Sequence, residues 1–295
     1  MNVPKISVIT PSFNQGRFIE ETIRSVLEQQ YPNLEFSVFD GGSADCTVDI
    51  LERYGAELSF WRSQKDCGQA AAINEGFQRA TGEILCWLNS DDLHLPRTLS
   101  TVADLLQGSL DQPVIVYGGC ELFDDRTHRV ELRPAMPFSR ELLEVADYFD
   151  QPSVFWTRKA WDVVGPLDEK LHYAFDWEWL LRASRTCRFI ASDTVLSRYR
   201  IHDAHKSRTG GPRRWLELCD VVRRYSSPTV ASHYEFLQRN DVAHWWLNKR
   251  MRVFLSLKES LRGFADPVAN LLSPPFWFLP AGIRRSLLWR ISGIR

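Results

Sequence analysis

The glycine cradles with which many α/β proteins hold phosphates are missing from this chain. No G-x-G-x-x-G follows the first apolar β-type run, residues 5–10, and no G-x-x-x-x-G-K-[ST] occurs anywhere in the 295 residues. Any phosphate ligand must therefore be held by another device. No apolar run reaches membrane-span length: the most apolar stretch, residues 271–288, is interrupted by Pro274, Pro275, Pro280, Arg284 and Arg285. A charged-then-apolar leader is lacking too, because the chain enters a β-type run at once, and no cleaved signal peptide is expected. The six cysteines, Cys46, Cys67, Cys86, Cys120, Cys187 and Cys219, form no C-x-x-C pair. That argues against a zinc site or a disulfide framework, fits a reducing compartment and leaves the thiols as packing residues. Net charge is close to zero, with 36 Lys plus Arg against 37 Asp plus Glu. Wholesale nucleic-acid binding is thereby disfavoured, although the acids concentrate in the front half.

What remains is an ordinary globular composition, long enough for one large domain or a domain with an appendage. Strand and helix patterns alternate through the first half. After residues 5–10, Phe18, Ile19, Ile23, Val26 and Leu27 recur at helical spacing until Tyr31-Pro32 stops them. Residues 34–39 form a second strand ending at Asp40; Ser43 then reads as the N-cap of a helix carrying Val48, Ile50 and Leu51, closed by Gly55. Residues 58–61 read as a short third strand, 69–80 as a helix ended by Gly82, and 84–88 as a fully apolar fourth strand. Pro96 suits the first position of a helix running to residue 106, and residues 114–117 give a fifth strand. This alternation predicts a mostly parallel sheet with right-handed crossovers. Residues 120–123 and 129–132 flank Asp124-Asp125-Arg126-Thr127 and predict an added antiparallel hairpin. Residues 153–156 suggest another strand, 174–185 a helix, and 188–191 and 195–201 two strands. From Pro212 the chain reads as helical and basic, with Trp215, Trp245, Trp246, Trp277 and Trp289 along it and no internal repeat. A boundary falls near Gly210-Gly211-Pro212.

Four polar motifs follow four of the apolar runs: Thr10-Pro11-Ser12-Phe13-Asn14, Asp40-Gly41-Gly42-Ser43, Lys65-Asp66-Cys67-Gly68-Gln69 and Asn89-Ser90-Asp91-Asp92. In an open α/β sheet the ligand crevice lies outside the carboxyl ends of the strands, so these motifs should converge. Crowded carboxylates repel a phosphate unless a divalent cation lies between them. Asp91 and Asp92 supply hard oxygen ligands for Mg2+ or Mn2+, which would bridge a nucleoside diphosphate and stabilise it as a leaving group. The same residues also read as a turn with helix-capping acids before Pro96.

Together with Ile73-Asn74, Trp87-Leu88, Gly165-x-Leu167-Asp168, Ala174-Phe175-Asp176-Trp177-Glu178 and Tyr199-Arg200-Ile201-His202, these motifs resemble the family 2 glycosyltransferases. The resemblance covers roughly the first two-thirds of the chain, in order. It implies an α/β, GT-A type fold: a mostly parallel twisted sheet with flanking helices and an added antiparallel hairpin, plus a helical C-terminal extension. The expected catalytic domain is 1–210, with a nucleotide-sugar half of about 1–118 and an acceptor half of about 119–210, and the extension is 211–295. The implied nucleotide-binding residues are Thr10, Pro11, Phe13, Asn14, Asp40, Asp66, Gln69, Asn74, Asn89, Ser90 and Asp91. Asp40 would accept a hydrogen bond from a pyrimidine N–H, because a carboxylate can only accept. Asp91, Asp92 and His202 would hold the metal, and Asp176 would be the base that deprotonates the acceptor hydroxyl. Gln151, Trp156 and Trp177 would border the acceptor.

The chain departs from the family pattern at three positions. Ile73 stands where many relatives carry arginine, Asn89 where an acid is common, and Phe175 where a second acid often precedes the base. Glu178, two residues beyond Asp176, lies on another helix face and does not substitute. The expectation is a cytoplasmic, metal-dependent, inverting transferase that moves a sugar from a UDP- or dTDP-linked donor. The acceptor would be a saccharide or lipid-linked saccharide, in cell-surface polysaccharide synthesis. Two rivals are a nucleotide-sugar-binding protein without turnover and a sugar nucleotidyltransferase; the latter would want a glycine- and basic-rich loop that residues 10–16 do not provide. Residues 271–295, mixing aromatics with arginines, fit a peripheral contact with the inner face of a membrane or packing on the protein or on a second subunit. Homo-oligomerisation stays open.

Overall fold

The structure is a computed structural model that describes residues 3–206 and 210–239. The expectations for residues 240–295, including the aromatic and basic 271–295 segment, lie outside the described residues. The described residues divide into two units, one of 3–138 with 149–206 and one of 139–148 with 210–239.

The first unit is a single sheet with helices on both faces. In chain order its elements are β1 (Ile6–Ser12), α1 (Ile19–Leu27), β2 (Leu34–Asp40), α2 (Thr47–Tyr54), β3 (Phe60–Ser63), α3 (Gln69–Arg79), β4 (Ile84–Trp87), β5 (Leu93–His94), α4 (Thr98–Leu106), β6 (Val114–Asp124) and β7 (Val130–Arg133). A 3-10 turn (Gln151–Ser153), β8 (Val154–Thr157), α6 (Arg158–Val164), α7 (Phe175–Ala183) and β9 (Arg188–Ile201) follow. The strand order is β3-β2-β1-β4-β8-β6-β9-β5, with β7 paired to β6. β3, β2, β1 and β4 are mutually parallel, whereas β8 runs antiparallel between β4 and β6. Every residue of β1 and β4 is buried, as expected of strands covered on both faces.

Strand alternation sorts the core into two layers. Ile6, Val8, Phe36, Val38, Ile84 and Cys86 face one side, where they meet Ile19, Ile23 and Val26 of α1, Ile50 and Leu51 of α2 and Leu99, Val102 and Leu106 of α4. On the other side Phe77, Trp87, Trp156, Trp161 and Trp179 form an aromatic layer, with Trp156 5.3 Å from Trp87 and 4.8 Å from Trp179 between ring centroids. There α3 crosses β1 so closely that a Cβ on Gly76 would stand 2.4 Å from Ile9 Cγ2. The second unit contains α5 (Arg140–Leu143), α8 (Gly211–Tyr225) and α9 (Pro228–Arg239), with Ser139 capping α5 and Tyr234 donating to the Val145 carbonyl.

Several boundaries differ from the sequence reading. Residues 114–124 form one strand, and so do 188–201; each had been expected as two elements. A Cβ at Gly118 would be 2.5 Å from Leu196 Cγ, so this glycine admits the neighbouring β9 rather than ending β6. The interruption survives only as shifts of register between Tyr117 and Cys120. Ser43 does not cap α2, which starts at Thr47; its hydroxyl donates to Asp40 instead. Pro96 lies just before the helix, which begins at Thr98 after Arg97 in a left-handed conformation at φ 67°. The cysteines are not uniformly packing residues either: Cys86, Cys120 and Cys219 are buried, while Cys46 and Cys67 are exposed.

Candidate active site

The carboxyl ends of β1, β2, β3 and β4 open onto one cavity of about 590 Å³. Its wall includes Pro11, Ser12, Phe13 and Gln15 after β1, Gly41 after β2, Lys65, Asp66 and Gly68 between β3 and α3, and Asn89, Ser90 and Asp91 after β4. The rest of the lining is His172, Tyr173, Phe175 and Asp176 around the start of α7, together with Tyr199, Ala204, His205 and Lys206 around the end of β9. Gln69, Trp87 and Gln151 line it as well.

The acids divide according to what holds them. Asp40 is fully buried, and its carboxylate accepts from the Gly42 and Ser43 amides and the Ser43 and Ser63 hydroxyls, at 2.5–3.1 Å. It braces the turn in which Gly42 takes φ 84°. Its neighbour Gly41, not Asp40, meets the cavity. Asp66 does reach the cavity: Oδ1 accepts the Gly68 amide at 2.9 Å, and Oδ2 lies 3.3 Å from where a Cβ on Gly41 would be.

After β4 the pair Asp91-Asp92 separates. Asp91 lines the cavity and its Oδ2 lies 3.0 Å from His202 Nε2. Asp92 is 1 % exposed; Oδ1 accepts the Arg200 amide at 3.0 Å and Oδ2 the Asn89 side chain at 3.3 Å. Burial, and then the neighbouring Asp91 charge, push the Asp92 carboxyl well above the usual carboxylate range. Asp92, expected as a metal ligand, thus braces the loop with both oxygens and is not among the cavity-lining residues. Asn89 donates to Gln151 Oε1 at 3.1 Å and accepts from Gln69 Nε2 at 2.8 Å, and Gln151 Nε2 donates to the Trp87 carbonyl at 2.9 Å. Lys206 Nζ donates to Gln69 Oε1 at 2.7 Å, so an amide relay of lining residues ends in an ammonium.

Asp176 sits in the first turn of α7, where its Oδ1 accepts the Trp177 amide at 2.8 Å, and its side chain belongs to the same cavity as Asp91. Glu178 is 3 % exposed and grips Arg182 through both oxygens at 2.9–3.1 Å. Arg182 in turn donates to the carbonyls of Val164 and Pro166, so Glu178 holds the 164–166 turn and takes no part in the cavity.

Among the described residues no three His, Cys, Asp or Glu side chains gather to hold a metal ion. Asp91 and His202 contribute one carboxylate and one imidazole. Mg2+ and Mn2+ sites are commonly built from one or two protein carboxylates completed by phosphate oxygens and water. The pair thus fits a cation shared with a diphosphate and does not fit a closed protein site.

The first half of this architecture matches a family model described as "Glycosyl transferase family 2" over residues 7–162. That is more than half of the chain. The chain belongs to glycosyl transferase family 2. An uncharacterized glycosyltransferase of Rickettsia typhi is 30% identical over 219 residues, which is 70% of this chain and 67% of the relative. A putative teichuronic acid biosynthesis glycosyltransferase of Bacillus subtilis is 39% identical over 92 residues, 30% of this chain and 36% of the relative. A mannosyltransferase of Pyrobaculum calidifontis, solved with GDP-Man and Mn2+, shares the fold with a TM-score of 0.58 at 20% identity, covering 99% of this chain and 87% of that one.

Within this family 2 glycosyltransferase the expected site residues fall into two sets. Pro11, Phe13, Asp66, Gln69, Asn89, Ser90, Asp91, Gln151 and Asp176 line the cavity. Thr10, Asp40, Asn74 and His202 are buried and are not among its lining residues, and Asn14 is exposed outside the lining. Asn74 donates to the Leu167 carbonyl and Glu169 and accepts the Leu167 amide at 2.8–3.0 Å, so it fastens the 167–169 loop to α3. Asn14, at φ 52°, donates its amide to Ser43 and accepts from Ala44. Trp156 and Trp177, expected to border the acceptor, are at most 2 % exposed, belong to the core and do not line the cavity. The aromatic rings that line the cavity are those of Phe13, Trp87, His172, Tyr173, Phe175, Tyr199 and His205. Sequence reasoning named none of Ser12, Gln15, Lys65, His172, Tyr173, Tyr199 or Lys206 as site residues. For Tyr173 and Lys206 the available signal was position: each lies within four residues of a motif, on the loop side of a strand or helix end.

Proposed function

We infer that this glycosyltransferase performs a one-step inverting transfer from a nucleotide-diphosphate sugar onto a saccharide or lipid-linked saccharide hydroxyl. The observation that carries this reading is that Asp91 and Asp176 line one cavity together with the strand-end loops. Phe13, Gly41 and Asp66 would hold the base, with Asp66 rather than Asp40 accepting from a ring N–H, as suits uracil or thymine. Asp91 and His202 would hold a Mn2+ or Mg2+ ion, which when bound supplies positive charge against the diphosphate. The acceptor oxygen attacks the anomeric carbon as its proton passes to the Asp176 carboxylate. The bond from that carbon to the diphosphate oxygen breaks on the opposite face, and the nucleoside diphosphate leaves. The likeness to a teichuronic acid enzyme supports a setting in cell-surface polysaccharide synthesis, and the Mn2+ complex of the mannosyltransferase supports the metal. No helix of the described residues is long and apolar enough to cross a membrane.

The test is calorimetric titration of UDP, dTDP and GDP with and without Mn2+, on wild type and Asp176→Asn. Metal-promoted nucleotide binding that survives in Asp176→Asn while donor turnover collapses supports the assignment. Unchanged turnover removes Asp176 as the base, and the absence of nucleotide binding in the wild type removes the donor assignment altogether.

A further inference from the structure

Arg200 is almost entirely buried, at 5 % exposure, although it is an arginine two residues from His202. A buried guanidinium is stable only when its donors are satisfied, and those of Arg200 reach three separate segments. Nε donates to the Asp91 carbonyl at 3.1 Å, and Nη1 to Asp125 Oδ1 at 3.1 Å in the β6–β7 turn. Nη2 donates to Glu21 on α1. The guanidinium also stands over the rings of Phe18 and Phe123, at 5.2 and 5.6 Å, and Phe18 packs on the His202 ring at 4.4 Å. The Arg200 backbone adds a fourth tie, donating to Asp92 Oδ1 at 3.0 Å.

These contacts share one consequence. Amide and Nε of the same residue clamp Asp92 and Asp91 from β9, and the next turn of chain delivers His202 Nε2 to within 3.0 Å of Asp91 Oδ2. We propose that Arg200 is the positioning residue of this site: its guanidinium sets the Asp91 backbone and the departure of β9, so that the Asp91–His202 pair is assembled before any ligand arrives. The proposal rests on the reading of Asp91 and His202 as the cation-holding pair, but the geometry it asserts exists in the free protein. Lysine cannot replace the arginine here, because one ammonium lacks the planar fork that spans these acceptors.

The experiment compares wild type, Arg200→Lys and a Glu21→Gln/Asp125→Asn double variant, which removes the guanidinium's other charged partners and leaves its contact with Asp91. The first readout is the imidazole 15N signature of His202 in the free full-length protein, assigned by its loss in His202→Gln. The second is Mn2+ affinity, by paramagnetic resonance titration in the presence of UDP, beside UDP affinity in chelator. Arg200→Lys is expected to move the His202 signature away from its carboxylate-bonded pattern and to weaken Mn2+ about 10- to 100-fold, as loss of a group that orients a metal ligand does. UDP affinity in chelator stays within about twofold, and the double variant melts earlier with both site readouts unchanged. An unmoved His202 signature in Arg200→Lys overturns the proposal. So does an equal shift in the double variant, or loss of chelator-independent UDP binding along with it, since either marks a general scaffold. A wild type that binds no nucleotide with Mn2+ would instead defeat the proposed function, and the His202 comparison would still decide the role of Arg200.

Discussion

The two walls of the cavity are built on different principles. The wall at the ends of β1 to β4 is made of short loops whose polar groups bond to one another: Asp40 to Ser43 and Ser63, Asp66 to Gly68, Asn89 to Gln69. The wall at 172–176 and 199–206 brings together segments remote in sequence and presents rings and bases, with Lys206 Nζ 5.4 Å from the Phe175 ring and Tyr199 hydrogen-bonded to His205. The first is organised by strand ends and the second by the packing of α7 and β9. A polar residue at a strand end therefore has two competing uses, bracing the loop or meeting the ligand, and the side chain's engaged acceptors tell which one prevails.

The sharpest way to break this contrast is at Asp176, which stands on the second wall and is assigned to chemistry rather than to bracing. Asp176→Asn should lower turnover about 10²- to 10⁴-fold, the usual contribution of a positioned base, with nucleoside diphosphate affinity changed less than about twofold. A variant with near wild-type turnover would leave the second wall without a catalytic residue. The next contrast is between the buried and the cavity-lining aromatics. Trp156→Ala should cost about 3–5 kcal/mol in urea denaturation because it opens the layer formed with Phe77, Trp87 and Trp179. Tyr173→Ala, at the cavity wall, should cost less than about 0.5 kcal/mol. Equal costs would mean that Tyr173 is as much a core residue as Trp156.

The first wall was largely legible in the sequence and the second was not. Strand-end motifs follow from apolar runs that stop at polar residues, so the convergence of residues 11–13, 41, 66 and 89–91 could be read from one dimension. Sequence alone could not show which way each acid turns, and so Asp40, Asn74 and Asp92 were expected at the ligand. Beside the local partners Gly42 and Ser43 of Asp40 and Asn89 of Asp92, these three bond Ser63, Leu167 and Arg200, which are 23, 93 and 108 residues away. Trp156 and Trp177 were expected beside the acceptor from their motif neighbourhood. Strand alternation with Val154 and helical spacing with Leu180 and Leu181 instead mark them as core positions, and all of these residues are buried. The long β6 was cut short at Gly118, which tertiary structure makes a close-contact residue rather than a strand end.

A smaller effect separates core from site through pH. His94, 3 % exposed and 5.3 Å from the Phe155 ring, has its pKa lowered by burial to about 3. The folded state thus disfavours the proton that the unfolded chain takes up near pH 6.5. Stability from this group is complete above pH 6.5 and falls as pH drops from there toward 3, by about 1.4 kcal/mol per pH unit. Between pH 7 and 5 the loss should be about 2 kcal/mol by urea denaturation, and His94→Leu should remove that share of the slope. An unchanged slope in His94→Leu would place the acid sensitivity elsewhere.

The finest division lies between two aspartates of the first wall. Asp40 bonds four donors and is not among the cavity-lining residues, whereas Asp66 bonds one backbone amide, lies 3.9 Å from Arg62 Nη2 and lines the cavity. Asp40→Asn puts an amide donor where several donors already point, so it should lower stability by about 1–2 kcal/mol, the cost of leaving a buried polar group mismatched. Asp66→Asn should leave stability nearly unchanged and weaken nucleoside diphosphate binding about tenfold, equivalent to one lost hydrogen bond to the base. Denaturation midpoints and calorimetric affinities on the two variants check both halves. If Asp40→Asn lost nucleotide affinity at unchanged stability, the base would be read by the buried acid after all.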